Sequence, residues 1–284
     1  MTRSERVPSR APSRARTDRE AAPPGPRVHP AAYVDPGAQL GPGVRIEPYA
    51  VIENRTTIGA GSWIGPHAVI REWTTLGRDC QVHPGAVLGG PPQDRHFKGE
   101  RSFLRIGDRV TFREYVSVSR ATGEDAETVV GDDTYMLAYS HAGHNCQIGR
   151  GVIITNSTQL SGHVVVEDRV VFSGMAGVIQ FARIGTMAMV TGMTRILKDV
   201  PPYMLVEGDP LRVVTINRVG LQRAGVSPET IQTLRRAHRL LIRSQLDVTH
   251  ALERIEQDLE DCAEVRHLVE FIRASQARGM GIGR

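Results

Sequence analysis

Two short segments carry most of the side chains able to do chemistry near neutral pH. His141 and His144 flank Ala142-Gly143 in HAGHNC (141–146), and His163 follows Ser161-Gly162 in LSGHV (160–164). A neutral imidazole can take a proton from a hydroxyl. A glycine amide with no side chain over it lets a developing oxyanion approach closely. Together these groups suit general-base attack of a hydroxyl on an acyl group. Nothing resembles a nucleophile elbow, so direct transfer is expected rather than a covalent enzyme intermediate. Cys146, the only thiol nearby, shows no sign of activation. The spacing His141-x-x-His144 lacks the helical i, i+4 geometry of a zinc-enzyme pair, so no metal site is expected.

These groups converge only if residues about 18 apart are stacked, and the sequence has that period. In steps of six, Val34, Leu40, Ile46, Ile52, Ile58, Ile64, Ile70, Leu76, Val82 and Leu88 are all branched aliphatics. Gly often follows them (Gly41, Gly59, Gly65, Gly77, Gly89), and a small residue stands four places on (Ala38, Ala50, Ser62, Ala68, Ala86). The phase resumes at Ile106, Phe112 and Val118 and runs again from Val130 to Ile196. A period of six fits neither a helix nor plain strand alternation. It fits a parallel β-solenoid with triangular coils, three hexads to a coil and roughly seven or eight coils in all. In such a coil His144 stacks beneath Gly162 and Gly162 beneath Gln180, while Asn145 stacks beneath His163. Successive levels are about 4.8 Å apart.

Residues 90–105 and 119–129 interrupt the repeat without losing its phase, which marks them as loops extruded from the coils, where function is commonly placed. Past Val200-Pro201-Pro202 the pattern stops, giving a domain of 28–205 and a C-terminal helical domain of 206–284. Helical segments are expected from about 226, with Ser227 as N-cap, Pro228 at N1 and Leu234, Ala237, Leu240 and Leu241 as the apolar stripe. Arg235, Arg236, Arg239 and Arg243 give this module a basic face, either merely solvated or suited to an acidic protein. The net charge of +4 arises wholly in residues 1–27, which hold seven arginines against Glu5, Asp18 and Glu20. The remaining chain is balanced, which argues against nucleic acid as a partner. The tail, rich in Arg, Pro, Ser and Ala, is expected to be disordered. Its composition also suits a transit peptide, although it contains acids. Cys80, Cys146 and Cys262 lack metal or disulfide spacing, and no apolar run reaches membrane-span length, so a reducing, cytoplasmic setting is expected.

The hexads, the Gln93-Asp94 … Gly99-Glu100 loop, HAGHNC, LSGHV, VIQF (178–181), KDVPPYM (198–204) and GLQRAGVSPETI (220–231) together resemble one family. It is the acyl-[acyl-carrier-protein]–UDP-N-acetylglucosamine O-acyltransferases, which catalyse the first step of lipid A biosynthesis. The resemblance spans residues from about 28 to 280. It implies a mainly β fold, a left-handed parallel β-helix followed by a small α-helical domain, assembled as a homotrimer with active sites between subunits. It implies no cofactor, the acyl carrier protein bringing its phosphopantetheine thioester as co-substrate. His144 then matches the base acting on the glucosamine 3-hydroxyl, and Gly162 the oxyanion donor. Asp94, His96, His141, His163 and Gln180 match contacts to the acceptor, Asn217 and Arg223 hold the nucleotide, and Gly192 falls where acyl length is measured. Asn145 replaces an acid beside the base, His96 a lysine, Val219 a glutamate and Ile179 a histidine. An asparagine can accept a hydrogen bond but adds no charge to steady an imidazolium. Three alternatives stand beside this reading. One is a related acyltransferase with another nucleotide-sugar acceptor. The second is a binder of nucleotide sugar or carrier protein without chemistry. The third is the N-acyltransferase of a later acylation, which carries a large N-terminal domain that this chain, with hexads starting soon after residue 28, does not show.

Overall fold

The aliphatic hexad positions turn inward, and the rest of the architecture follows from that. In the computed structural model, which describes residues 25–283, twenty-six strands of two to four residues wind into a left-handed parallel β-helix. Each face is built from every third strand, and the second and third faces hold nine and eight. Registers such as His141↔Gln159 and Gln147↔Val165 set the step from coil to coil at 18 residues. The chain makes nearly nine coils, more than the hexads implied, because Arg27–Val28 already pairs with Arg45–Ile46. That places Arg27 in the helix rather than in the tail. Residues 1–24 of the expected tail lie outside the described residues.

Ile52, Ile64, Ile70, Val82, Leu88, Phe112 and Ile154 line the axis at 0% exposure. Burying each such side chain stabilises the coil by roughly 1.5–3 kcal/mol. The small residues of the repeat fill the corners, where Ala50, Ser62, Ala68 and Ala86 are fully buried. The recurrent glycine has a partner of its own. At Gly77, Gly107 and Gly149 the next coil inserts the carboxylate of Asp108, Asp132 or Asp168, and a Cβ would overlap it. Those carboxylates accept the N–H of Arg78 (2.7 Å), Asp108 (2.9 Å) and Arg150 (2.8 Å).

Both loops leave the corner between the second and third faces, on successive coils beneath the turn that holds His144. They are shorter than the sequence implied, spanning 91–102 and 120–126. Val87–Gly90, Phe103–Ile106, Ser117–Ser119 and Glu127–Val130 extend into them as paired strands.

Above the last coil an antiparallel hairpin, Met204–Glu207 with Arg212–Ile216, lengthens the first face. Helices α1 (Arg218–Arg223), α2 (Pro228–His238), α3 (Val248–Asp258) and α4 (Ala263–Ala277) follow, with a π-helical turn at Arg239–Arg243. Ser227 caps α2 by accepting the Thr230 N–H at 3.1 Å. The helical region begins earlier than expected from residue 226, because Asn217 caps α1. Among the described residues no helix is long and apolar enough to cross a membrane.

Two carboxylates of the β-helix fasten this module. Asp199, at 0% exposure, accepts the Arg183 N–H (2.8 Å) and the Arg278 guanidinium (2.6 Å). Glu167 accepts from His267 Nε2 on α4 (2.7 Å) and from the N–H and hydroxyl of Thr186 (both 2.8 Å). The hydrogen bond to Glu167 raises the His267 pKa, and the bonds from His267 and Thr186 hold Glu167 below its usual value despite the opposing effect of burial. A raised histidine pKa stabilises the fold below the unfolded value and ceases to as pH rises through the folded one. A lowered carboxyl pKa stabilises above its unfolded value and is lost as pH falls through the folded one. The pair is therefore fully effective between about pH 5 and 6.5. His267→Gln should cost about 1 kcal/mol there, after discounting for solvent screening. Melting curves of both proteins across pH 5–10 should converge on the alkaline side, and a pH-independent gap would refute the ion pair.

Candidate active site

The turn Gly143-His144-Asn145-Cys146 joins the strands His141–Ala142 and Gln147–Ile148 at the loop-bearing corner. One coil above it lies the turn carrying Gly162 and His163, and above that the turn carrying Gln180 and Phe181. Asn145, His163 and Phe181 occupy the left-handed region, with φ of 61°, 60° and 66°. This conformation costs a non-glycine residue about 1 kcal/mol or more. Here it aims the N–H groups down the stack, from His163 to the His144 carbonyl (2.9 Å) and from Phe181 to the Gly162 carbonyl (3.3 Å). Those bonds offset the cost and fix the column.

His144 is 7% exposed, and its ring lies directly beneath Gly162. A Cβ on Gly162 would overlap Nε2, so only glycine leaves that nitrogen its place. Within the described residues no hydrogen bond engages the Gly162 N–H. His144 Nδ1 lies 2.8 Å from Asn145 Oδ1. The orientation of the Asn145 amide follows from its other partners, since Oδ1 accepts the Thr122 N–H (2.9 Å) and Nδ2 donates to the Thr122 carbonyl (3.1 Å). An oxygen facing Nδ1 requires the proton to sit there. In the neutral ring Nε2 is then the nitrogen without a proton, at the wall of the cleft.

That cleft, of about 210 Å³, is lined by Gln93, His141, Gly143, His144, Gln159, Leu160, Ser161, Gly162 and Gln180. His141 Nδ1 pairs with Ser117 Oγ at 2.7 Å. His163 packs edge-on against His144 (5.0 Å between ring centroids) and stacks on Phe181 (4.8 Å). Burial lowers the pKa of both His141 and His163, which keeps them neutral at pH 7. Asp94, in the loop 91–102, supplies the negative charge. The His96 N–H donates to its carboxylate (2.9 Å) and holds its pKa below the ordinary value. Burial pushes the Cys146 thiol up to about 12, and its Sγ donates to the Ser161 carbonyl at 3.2 Å, so it is no nucleophile. Among the described residues no three His, Cys, Asp or Glu side chains are placed to hold a metal ion.

The structure therefore brings together His141, His144, Asn145, Gly162, His163, Gln180 and the loop bearing Asp94. His96 is exposed and, among the described residues, pairs only with Asp94. Asn217, Arg223 and Gly192 do not line this cleft. The Asn217 side chain is occupied, with Oδ1 accepting from Gly220 (3.0 Å) and Nδ2 donating to the Met187 carbonyl (2.9 Å). Arg223 is exposed in the last turn of α1, and exposed Gly192 sits at another corner, above Gly174. Gln159 and Ser161 were not singled out from the sequence. Gln159 was within reach of the same arithmetic, one coil above His141, whereas Gln93 enters from a loop that no repeat positions.

A family model described as "Udp N-acetylglucosamine O-acyltransferase; Domain 2" matches residues 199–281, and one described as "Bacterial transferase hexapeptide (six repeats)" matches 55–90. An acyl-[acyl-carrier-protein]–UDP-N-acetylglucosamine O-acyltransferase from Burkholderia mallei is 49% identical over 255 residues, 88% of this chain and 97% of the relative. One of the same name from Gloeothece citriformis is 46% identical over 190 residues, 67% of this chain and 68% of its own. Among solved structures, a UDP-N-acetylglucosamine acyltransferase from Bacteroides fragilis superposes with a TM-score of 0.88 at 35% identity, covering 90% of this chain and all (100%) of that one. The Campylobacter jejuni enzyme gives 0.84 at 31% identity, covering 90% and 99%. With 49% identity over 97% of the Burkholderia relative and a matching solved fold, the chain belongs to the acyl-[acyl-carrier-protein]–UDP-N-acetylglucosamine O-acyltransferase family.

Proposed function

We propose that the protein transfers an acyl chain from acyl carrier protein to the 3-hydroxyl of UDP-N-acetylglucosamine, with His144 as general base. The observation that carries this reading is the placement of His144, with Nδ1 facing the Asn145 oxygen and Nε2 beneath Gly162, whose N–H is unengaged among the described residues. Nε2 takes the hydroxyl proton as the oxygen attacks the thioester carbonyl. The tetrahedral oxyanion faces the Gly162 N–H, a donor in place before charge develops. Collapse breaks the carbon–sulfur bond, and the leaving thiolate takes the proton from Nε2, departing as the carrier's thiol and returning the imidazole to its neutral form. His141, His163, Gln180 and Asp94 surround the acceptor as neutral or anionic hydrogen-bonding groups, with His96 beside Asp94. No step calls for a cofactor beyond the carrier's own phosphopantetheine thioester.

A homotrimer gives Arg223 and Asn217 a role. Neither reaches the His144 cleft within one chain, so a nucleotide held by Arg223, beside the α1 that Asn217 caps, would sit in a cleft completed by a second copy. Gly192 would then face the acyl chain rather than the sugar. The basic residues of α2 suit the acidic carrier. The reaction belongs in the cytoplasm, where Cys146 and its fellows stay reduced.

A second reading, an altered nucleotide-sugar acceptor, draws on Val219 (57% exposed) and Ile179 (43% exposed), apolar surfaces where the family resemblance has polar residues. One experiment addresses both. The purified chain is supplied with acyl-carrier-protein thioesters of several lengths and a panel of UDP-sugars, and products are read by mass. O-acylated UDP-N-acetylglucosamine is expected. Acylation of another sugar alone would establish the second reading, and carrier binding without any acylated sugar would overturn both.

A further inference from the structure

The choice of the basic nitrogen in His144 rests on a single amide, and an amide has two ends. Turned over, Asn145 would offer Nδ2 to His144 Nδ1, favour the proton on Nε2, and leave no base at the cleft. What opposes the turn is the backbone around Thr122 in the loop 120–126. The Thr122 N–H donates to Oδ1 (2.9 Å), and its carbonyl accepts from Nδ2 (3.1 Å). That carbonyl belongs to the peptide unit Thr122–Gly123. Gly123 has φ of +103°, a region that side-chain-bearing residues rarely adopt, so this peptide can rotate at little steric cost.

The other end of the same peptide unit is held from the neighbouring loop. The Gly123 N–H donates to Glu100 Oε1 at 3.0 Å, and Glu100 Oε2 accepts the Lys98 N–H at 2.8 Å. An ionised carboxylate only accepts, so it admits the N–H side of the peptide and rejects the carbonyl side. Hydrogen bonds from the Lys98 and Gly123 amides keep Glu100 below the usual carboxylate range, so it is ionised at neutral pH. The order of contacts is Glu100 carboxylate, peptide 122–123, Asn145 amide, His144 Nδ1: Glu100 orients the carbonyl that holds Nδ2, while the Thr122 N–H, in the preceding peptide unit, holds Oδ1.

We propose that Glu100 is a positioning residue, which selects the reactive tautomer of His144 by fixing the plane of the Thr122–Gly123 peptide. This rests on His144 being the base. It goes beyond that reading by assigning part of the base's competence to a residue on a separate loop, with no direct contact to the imidazole. It also accounts for how Asn145 serves where a carboxylate would need no such control: an aspartate accepts from Nδ1–H with either oxygen.

The test is Glu100→Gln in two backgrounds. Glutamine keeps the size of the side chain, but its amide can donate to a rotated carbonyl and so stops discriminating. In the native background kcat should fall about tenfold with KM changed less than twofold. In Asn145→Asp, whose carboxylate sets the tautomer unaided, adding Glu100→Gln should lower kcat less than twofold. Ring 15N shifts of His144, read without substrate, should show an unprotonated Nε2 in the native protein and a mixture in Glu100→Gln. Equal losses in both backgrounds would reveal a merely structural role and overturn the proposal, as would an unmixed tautomer in Glu100→Gln. Substantial turnover in His144→Ala would instead overturn the reading of His144 as base, while the ring shifts would still report on Glu100.

Discussion

Replacing His144 with alanine should lower kcat by about 10²–10⁴-fold, the usual worth of a positioned general base, and leave the fold intact. Among the described residues the imidazole makes no hydrogen bond to backbone. Its contacts are Asn145 Oδ1, the His163 ring and the face of Gly162. The coil itself is held by the axial aliphatics and by the His163 N–H to the His144 carbonyl, which alanine keeps. Steady-state turnover of carrier-protein thioester, measured beside a thermal melt, separates the two effects. Turnover within tenfold of the native rate would assign the base elsewhere, and His141 is the other imidazole that lines the cleft. A collapse of the melting temperature would show instead that the ring bears structural load.

The thiol makes the case for direct transfer sharper. Cys146 stands two residues after the base, yet its Sγ is buried and donates to a carbonyl of the coil above. The hexad phase explains this, because Cys146 occupies the corner position otherwise held by Ala50, Ala68 or Ala86. The repeat that brings His144 to the cleft turns the residue two places on inward.

What could be read from the sequence divides along the same line. Inside the regular coils, phase decides everything: Ile52 and Ile154 face the axis because they share it, and His144 lies beneath Gly162 because they are 18 apart. The step fails where loops intervene. His141 pairs with Ser117 across 24 positions, and Ser117 with Val87 across 30. The contacts that aim the base, from Thr122 to Asn145 and from Gly123 to Glu100, cross those loops, and no periodicity encodes them. The C-terminal helices were legible from caps and stripes, but α1 was missed because its cap, Asn217, stands before a helix only six residues long. The hand of the coil was implied by resemblance alone, since a hexad repeat reads the same for either hand.

Gly162→Ala should cost nearly as much activity as loss of the base, for a different reason and with little loss of stability. The new Cβ would overlap Nε2 and crowd Cε1 and Cδ2 of His144, a side chain rather than backbone. The ring can yield, so the melt should fall by no more than about 1–2 kcal/mol of overpacking. Yielding is costly to the chemistry. Nδ1 is tethered to Asn145, so the ring leaves Gly162 only by swinging about that bond or breaking it, and either motion misdirects Nε2. The methyl group also crowds the approach to the Gly162 N–H, and losing one oxyanion donor costs about 10²–10³-fold by itself. Together the two losses should bring kcat/KM down at least 10³-fold. The double variant Gly162→Ala/His144→Ala sharpens the test. With the ring gone the overlap is gone, so stability should return to that of His144→Ala. Activity should drop below the His144→Ala level only by whatever the covered N–H contributed. Near-native turnover in Gly162→Ala would mean that the acyl oxygen is received elsewhere. A double variant no more stable than Gly162→Ala would mean that the methyl meets the coil itself rather than the imidazole.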